Sequence, residues 1–394
     1  MLRDKGVHPA RVLSIAGELR LSRRYYWSKG QDGRYPADAR LGVEAGRVSP
    51  GAREALCRLG IVEDFAGAAE DARRLVNLPV GKERLRQIVE AEGAKVTQVR
   101  NDGTLKAAWT QADARVPGSQ ATRVYGGIDG VMAPMVTQSE KDKRRKEQVK
   151  RRQQRVKQGL ANTRSLPPKN PGHKEKYREM KLGVFYDQEK THRHVLATAK
   201  RWLGFAHLLK LYAGQVDFAK AGEALTLTDG AKWILSVICM VLAYVRATLL
   251  DFYHLSQHVH QAAKACLGET PAALAWAQAR LNEIKTQGVQ PVLRAISELN
   301  KKARSPAKKK QLRLLRDYLL QRLEMLDYKG ALAQGRDIGS GPTEAMCKNL
   351  TLRLKRPGMK WDASHAEAMM NLTALYESGQ KKAYWSQVAI RKAA

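Results

Sequence analysis

A chain of 394 residues is long enough for two or three domains and a substantial core. Lysine and arginine number 70 against 38 acids, a formal net charge of +32, and so strong an imbalance costs stability unless a polyanion absorbs it. Nucleic acid is the expected polyanion, ahead of an anionic membrane surface, and generic solubilising charge is a poor account of the excess.

Four scattered cysteines, Cys57, Cys239, Cys266 and Cys347, form no C-x-x-C pair. They argue against a disulfide framework or a cysteine zinc site and for a reducing compartment. The most apolar run, Trp233 to Tyr244, is closed off by Lys232 and Arg246. It is about half the ~20 residues of a spanning helix, so a buried helix is expected and no membrane partner. No signal-peptide pattern opens the chain. A cytoplasmic, nucleoid-associated location is the expectation.

Residues 1 to 60 read as irregular, with turn signals at Gly30, Gly33, Pro36 and Pro50. The segment Arg20 to Gly30 mixes cations with Tyr25, Tyr26 and Trp27, which suits a nucleic-acid surface or a small aromatic cluster equally. From Phe65 to Gly93 apolar residues recur at helical spacing around a break at Leu78-Pro79-Val80. Two short helices there, the second carrying Lys82, Arg84 and Arg86, suit a helix-turn-helix at 65–93 or a plain helical hairpin.

Val124 to Ile128 reads as a short strand ending at Asp129. A basic excursion over 138–178 follows, in which Lys141 to Leu160 holds ten Lys/Arg against two acids. It is expected to be a mobile loop or a helix ordered by DNA, with Arg144, Arg145, Lys150, Arg151 and Arg152 as DNA contacts. Lys181–Asp187, His194–Ala199 and Ala224–Thr228 read as strands, then an apolar helix, the strand ATLLDFY and a helix from His254 to Leu267. Thr270 to Gly330 is helical in pattern, with Leu312, Leu315, Leu319 and Leu323 on one face and Lys308, Lys309, Lys310, Arg313 and Arg316 outward. That leucine face serves an interface between copies or the core; both readings stand. A last amphipathic helix is expected from Ser364 to Glu377.

Phosphodiester attack at neutral pH needs an activated nucleophile and a stabilised leaving oxygen, which two Mg²⁺ (or Mn²⁺) ions supply. Such ions want hard oxygen ligands and keep several waters, so two or three acids opening on a basic surface are enough. Asp129 and Asp229 both follow an apolar strand and precede glycine. Gly126, Gly127 and Gly130 would leave room for a phosphate backbone. Taken singly, Asp129 is an ordinary strand-to-turn aspartate and Asp229 a helix N-cap. Glu344 stands in the first turn of a basic helix that Ser340 can cap and Pro342 can open. At 100° per residue Glu344, Lys348, Thr351 and Lys355 share one face, opposite Met346, Leu350 and Leu354. Lys348, Lys355 and Arg353 are candidate DNA contacts; the bland alternative is a Glu–Lys surface pair. Asp251 and His254 form D-x-x-H, and with His258 and His260 lack the spacing of a zinc site, so no zinc is expected.

The segments GGIDGVMAP, MKLGVFYD, TDGAKWI, LLDFYH, GRDIGSGPTEAMCKN, RLKRPGMKW and AEAMMNLTAL, in this order over residues 123 to 378, resemble bacterial insertion-sequence transposases of the ISKra group. These are distantly similar to the Mutator-like DDE transposases. The resemblance implies an α/β, RNase-H-like mixed sheet flanked by helices and interrupted by an α-helical insertion. It implies Asp129, Asp229 and Glu344 as catalytic metal ligands, with Asp251 and His254 accessory and Asp251 the second choice for the second aspartate. The layout expected is a mostly helical N-terminal DNA-binding region (1–120), the first part of the core (121–268), the insertion (269–335) and closing helices (336–394). A zinc knuckle seen in relatives is not expected, because Ser28 and Gln31 occupy the cysteine places. The implied partners are double-stranded DNA, as terminal repeats and target, and further copies of the chain on that DNA. A non-catalytic DNA-binding derivative and an RNase-H-like nuclease without strand transfer are the competing readings.

Overall fold

The computed structural model describes residues 2–43, 46–160, 165–166, 168 and 170–389. The chain divides into two compact units. One comprises Met1–Lys106, Val131–Met180 and Asn349–Ala394, the other Ala107–Gly130 and Lys181–Lys348. Neither is a continuous stretch, because segments far apart in sequence pack together within each.

The first unit opens on an antiparallel sheet, β1 (Arg3–Ser14), β2 (Gly17–Ser28) and β3 (Gln31–Arg34), where an irregular region was expected. Ala10, Val12 and Ser14 are buried while Pro9 and Arg11 are exposed, the period-2 alternation of a half-buried strand. Ser28 and Gln31, which stand in the cysteine places, are register partners at the β2–β3 turn. The expected helical pair is present as Phe65–Leu75 and Lys82–Asn101. The first is capped by Asp64, whose Oδ1 accepts from the Ala66 and Gly67 amides at 2.8 and 3.0 Å. The second is not short. It packs on the helix Ala363–Glu377 so closely that a Cβ at Gly93 would lie 2.9 Å from the Ala368 carbonyl oxygen. Its buried Glu92 faces Arg53 at 3.7 Å and accepts from the Tyr384 hydroxyl at 2.8 Å.

The basic excursion forms the helix Gln138–Lys157, without a buried residue. Thr137 and Glu140 close its N-terminus as a capping box, and Glu140 and Lys141 pair with Lys360 and Asp362. The parts of the excursion at 161–164, 167 and 169 lie outside the described residues.

The second unit is built on a mixed five-stranded sheet, the expected α/β class. Its strands are β4 (Arg123–Pro134), β5 (Tyr177–Asp187), β6 (Arg193–Thr198), β7 (Glu223–Thr228) and β8 (Ala247–Leu250), in the order β6-β5-β4-β7-β8. β5 and β6 are antiparallel; β4, β7 and β8 are parallel. Phe205 and Leu209 of the helix Trp202–Gln215 and Ile234 and Val237 of the helix Lys232–Val241 pack with Ile128, Phe185 and Phe218 in one core. The apolar run buries only one face, however, since Met240 and Tyr244 are 52% and 46% exposed.

A separate core joins the helix Phe252–Leu267 to the helices Pro271–Thr286, Val289–Lys302 and Pro306–Leu320. Leu312, Leu315 and Leu319 are buried in it, but Leu323 sits in a 3₁₀ turn and is exposed. The leucine stripe therefore ends with the helix. Buried this way, it serves the core.

An ion-pair network closes the lower end of the parallel strands. Glu223 accepts from Arg123 Nε and Arg336 Nη2, both at 2.5 Å, while Arg123 also donates to the carbonyls of Gln334 and Gly335 at 2.9 and 2.7 Å.

Candidate active site

Register places three aspartates in a row. Ile128 pairs with Thr228 and Thr228 with Leu250, so Asp129, Asp229 and Asp251 each follow directly on one line across β4, β7 and β8. Neighbouring strands lie about 4.8 Å apart. Asp129 and Asp229 are thus lateral neighbours, with Asp251 one strand further out. β4 itself does not stop at Asp129 as expected; it runs on to Pro134, and only its pairing with β7 ends at Ile128.

Asp129 is half-buried, and both its oxygens are engaged. Oδ1 accepts from the Gly130 amide at 2.6 Å and Oδ2 from the Cys347 thiol at 3.3 Å. Burial raises its pKa above the ordinary carboxylate value; the hydrogen bonds from Cys347 and Gly130 oppose this, the charge of Asp229 adds to it and His254 opposes it. Asp229 and His254 therefore share its electrostatic neighbourhood.

Asp229 is not the N-cap of the following helix, a position held by Ala231. Its Oδ1 instead accepts from the Ala231 amide at 2.9 Å in a local turn. That turn needs Gly230 twice over. Its φ is +74°, and a Cβ there would lie 2.5 Å from Arg322 Nε. Arg322 donates to the Gly230 carbonyl at 3.0 Å and lies 4.1 Å over the Tyr318 ring. Tyr318 stacks at 4.1 Å on His258, whose ring is 5.1 Å from that of His254. Burial pushes the Tyr318 hydroxyl well above its ordinary range; Arg322 opposes this, and Asp229 and Asp251 add to it.

Asp251 is buried and acts as N-cap of the helix Phe252–Leu267, so DFY begins a helix instead of ending a strand. Its Oδ1 accepts from the Tyr253 amide at 2.7 Å and its Oδ2 from the Ser340 hydroxyl. Ser340 stands directly before the glutamate helix as expected, its carbonyl accepting from the Thr343 and Glu344 amides at 2.8 and 3.0 Å, while its hydroxyl donates to Asp251.

Glu344 lies in the first turn of the helix Gly341–Leu352 and is exposed. Cys347, three residues later, is the side chain this helix brings to Asp129. Among the described residues no three His, Cys, Asp or Glu side chains stand together as a metal site. The helix meets the sheet through Thr343, for a Cβ at Gly127 would lie 1.7 Å from Thr343 Oγ1. Gly127 makes room for this helix, not for a phosphate backbone. Thr351, expected on the exposed face with Glu344, is buried.

Of the basic candidates, Lys348 and Lys355 are exposed, as are Arg144, Lys150, Arg151 and Lys82. Arg145 and Arg152 are half-buried on their helix. Arg84 is exposed and donates to the Gly46 carbonyl at 3.0 Å, whereas Arg86 is held between Glu83 and Glu90. Arg353 is buried, with its guanidinium 4.7 Å from the Phe65 ring and 5.2 Å from the Trp361 ring and its Nε donating to the Gly60 carbonyl at 3.1 Å. It is a core residue and presents nothing to DNA; burial lowers its pKa to about 10.

Cys347, Thr343, Tyr318 and Arg322 were not legible as site residues. Only the three-residue spacing of Cys347 from Glu344, nearly one helical turn, hinted that the thiol shares that side of the helix.

Residues 205–391 match an uncharacterised protein family (UPF0236). The match takes in Asp229, Asp251, His254, Glu344 and Cys347 and leaves out Asp129. No curated protein matches the chain. No described helix is long and apolar enough to cross a membrane.

Proposed function

We propose that the chain is a DDE-type transposase of an ISKra-like insertion sequence, a cytoplasmic, nucleoid-associated protein that cleaves double-stranded DNA at its element's ends and joins the exposed 3′-hydroxyl to target DNA. The observation that carries this reading is the placing of Asp129 and Asp229 side by side, each one residue beyond the pair Ile128–Thr228. Support also comes from chain order. The first strand of the five-stranded sheet bears Asp129, the fourth ends before Asp229, and Glu344 follows on a late helix after a helical insertion, as in the RNase-H-like core of such enzymes. The excess of cations, 70 against 38 acids, suits the polyanionic substrate.

Two adjacent carboxylates, Asp129 and Asp229, fit a hard divalent ion that retains most of its waters. Asp129 and Asp229 would hold Mg²⁺ or Mn²⁺. Bound there, such ions would supply activation of the attacking hydroxyl and stabilisation of charge on the leaving oxygen. Glu344 would complete the set after movement of its helix on DNA. Asp251, fixed by Ser340 and the Tyr253 amide, holds the D-x-x-H helix and with it His254 beside Asp129. Lys348 follows Glu344 by one turn and would neutralise phosphate beside it. Two element ends must be cut together, so the working form would be a homo-oligomer on DNA.

A non-catalytic DNA-binding derivative is the second reading. The observation favouring it is that Cys347, not Glu344, meets Asp129. The test is supercoiled plasmid bearing the flanking terminal repeats, incubated with Mg²⁺ or EDTA beside an Asp229→Asn variant. Metal-dependent nicking or joining that the variant loses is the expected result. Salt-sensitive binding by folded protein with no cleavage would transfer the conclusion to the second reading, and cleavage without joining would leave a nuclease.

A further inference from the structure

The helical insertion holds a cleft that the aspartate site does not use. It lies between the helices Val289–Lys302 and Pro306–Leu320, has a volume of about 390 Å³, and rests on buried Ile296 and Leu312. Its polar lining is Ser297, Asn300, Lys309, Lys310, Arg313 and Arg316, with no acid. Positions 309, 313 and 316 follow an i, i+4, i+7 spacing and so fall on one face of their helix. Arg316 has Asp317 at 3.7 Å, and among the described residues no ion pair takes up Lys309, Lys310 or Arg313.

Four cations converging on one cleft repel one another and are stabilised by an anion. Guanidinium groups match phosphate oxygens in paired hydrogen bonds, and serine and asparagine supply neutral donors to the same oxygens. From position 309 to 316 the stripe runs about 10 Å along the helix, longer than one phosphate occupies. A continuous phosphodiester backbone suits that length. An apolar ligand does not suit a lining of this charge.

We propose that this cleft is a binding site for the phosphate backbone of double-stranded DNA, separate from the aspartate row. The inference rests on the nucleic-acid part of the function proposed above and is independent of cleavage. It holds equally for an active transposase and for a non-catalytic derivative.

The test measures affinity of the full chain for a labelled duplex between about 50 and 200 mM salt, since log K falls by about 0.9 per neutralised phosphate for each tenfold rise in salt. The variant Lys309→Gln/Arg313→Gln/Arg316→Gln is expected to reduce that slope by about 2.7, three contacts at about 0.9 each. The charge-preserving variant Lys309→Arg/Arg313→Lys/Arg316→Lys should keep most of it. Removing three exposed charges of the same unit elsewhere, at Lys210, Lys220 and Lys264, should change it less. All these side chains are exposed, and thermal unfolding would verify that each variant is folded. An unchanged slope in the cleft variant, or an equal loss in the control variant, overturns the proposal while leaving DNA binding intact. Failure of the unaltered chain to bind duplex overturns the nucleic-acid reading itself.

Discussion

The Cys347 thiol donates to Oδ2 of Asp129 across 3.3 Å, tying the glutamate-bearing helix to the first strand of the parallel set. This bond acts against the rise that burial imposes on the Asp129 pKa. Cys347→Ala is therefore expected to move that pKa further up, and Cys347→Ser, which keeps a donor, to move it less. Because the folded-state value lies above the ordinary 3.8, the contribution of Asp129 to stability falls as pH rises from 3.8 through the raised value. The alanine variant should extend that window upward. Carboxyl-carbon NMR titration of Asp129 checks this; identical curves for all three proteins would mean that the thiol does not act on the carboxylate.

At Gly127 the contact with Thr343 leaves no room for a methyl group, since Cβ would lie 1.7 Å from Thr343 Oγ1. Gly127→Ala should cost about 1–3 kcal/mol, the usual range for overpacking a filled core. Thr343→Ala in the same chain should recover part of that loss, because it removes the nearest atom. Urea unfolding of the two single variants and the double gives the coupling. Simple additivity would show that the two residues are not in conflict.

The Arg123–Glu223–Arg336 network is largely buried, with side-chain exposures of 8%, 16% and 8%. Glu223→Ala leaves two buried guanidiniums without their counterion, a loss of about 3–5 kcal/mol. Burial alone would raise the Glu223 pKa, but hydrogen bonds from Arg336 and Arg123 outweigh it and hold the value below the ordinary 4.5. The stability it contributes is present above 4.5 and is lost as pH falls through the depressed value. Thermal midpoints across the acid range should fall more steeply for the natural chain than for the variant, which retains only the losses from other depressed carboxylates such as Asp187.

Arg353 and Lys348 should separate cleanly. Arg353→Ala removes a buried guanidinium from between Phe65 and Trp361 and should lower the unfolding midpoint strongly, with the DNA salt slope unchanged. Lys348→Gln, at an exposed position, should leave the midpoint alone and reduce the slope by about 0.9 if Lys348 meets a phosphate. The opposite pattern would return Arg353 to the DNA surface and remove Lys348 from it.

Strands β5, β6 and β7 were legible because they are buried on both faces and read as short apolar runs, KLGVFYD, HVLATA and ALTLT. The helices of the insertion were legible through a different signal, apolar residues recurring about once per turn on a single buried face. β1 and β2 were not, because glycines at 6 and 17 and many cations hide the alternation that Ala10, Val12 and Ser14 of β1 and Arg23 of β2 express by burial. Asp251 was misplaced by one element, since an apolar run reads alike as the end of a strand or the start of a helix. Arg353 was misread because charge predicts exposure, and nothing local announces the aromatic rings on either side of it.

By itself the sequence determined the α/β class, the net charge of +32 and the strand-Asp-Gly pattern that Asp129 and Asp229 share. These follow from side-chain chemistry and short-range periodicity, which are local properties. Tertiary structure alone decided that register sets Asp129, Asp229 and Asp251 in one row, that Cys347 and not Glu344 meets Asp129, and that Lys309, Arg313 and Arg316 line a cleft with Ser297 and Asn300. Those facts depend on strand pairing and helix approach between segments as much as 218 residues apart, for which no local pattern in the chain carries a signal.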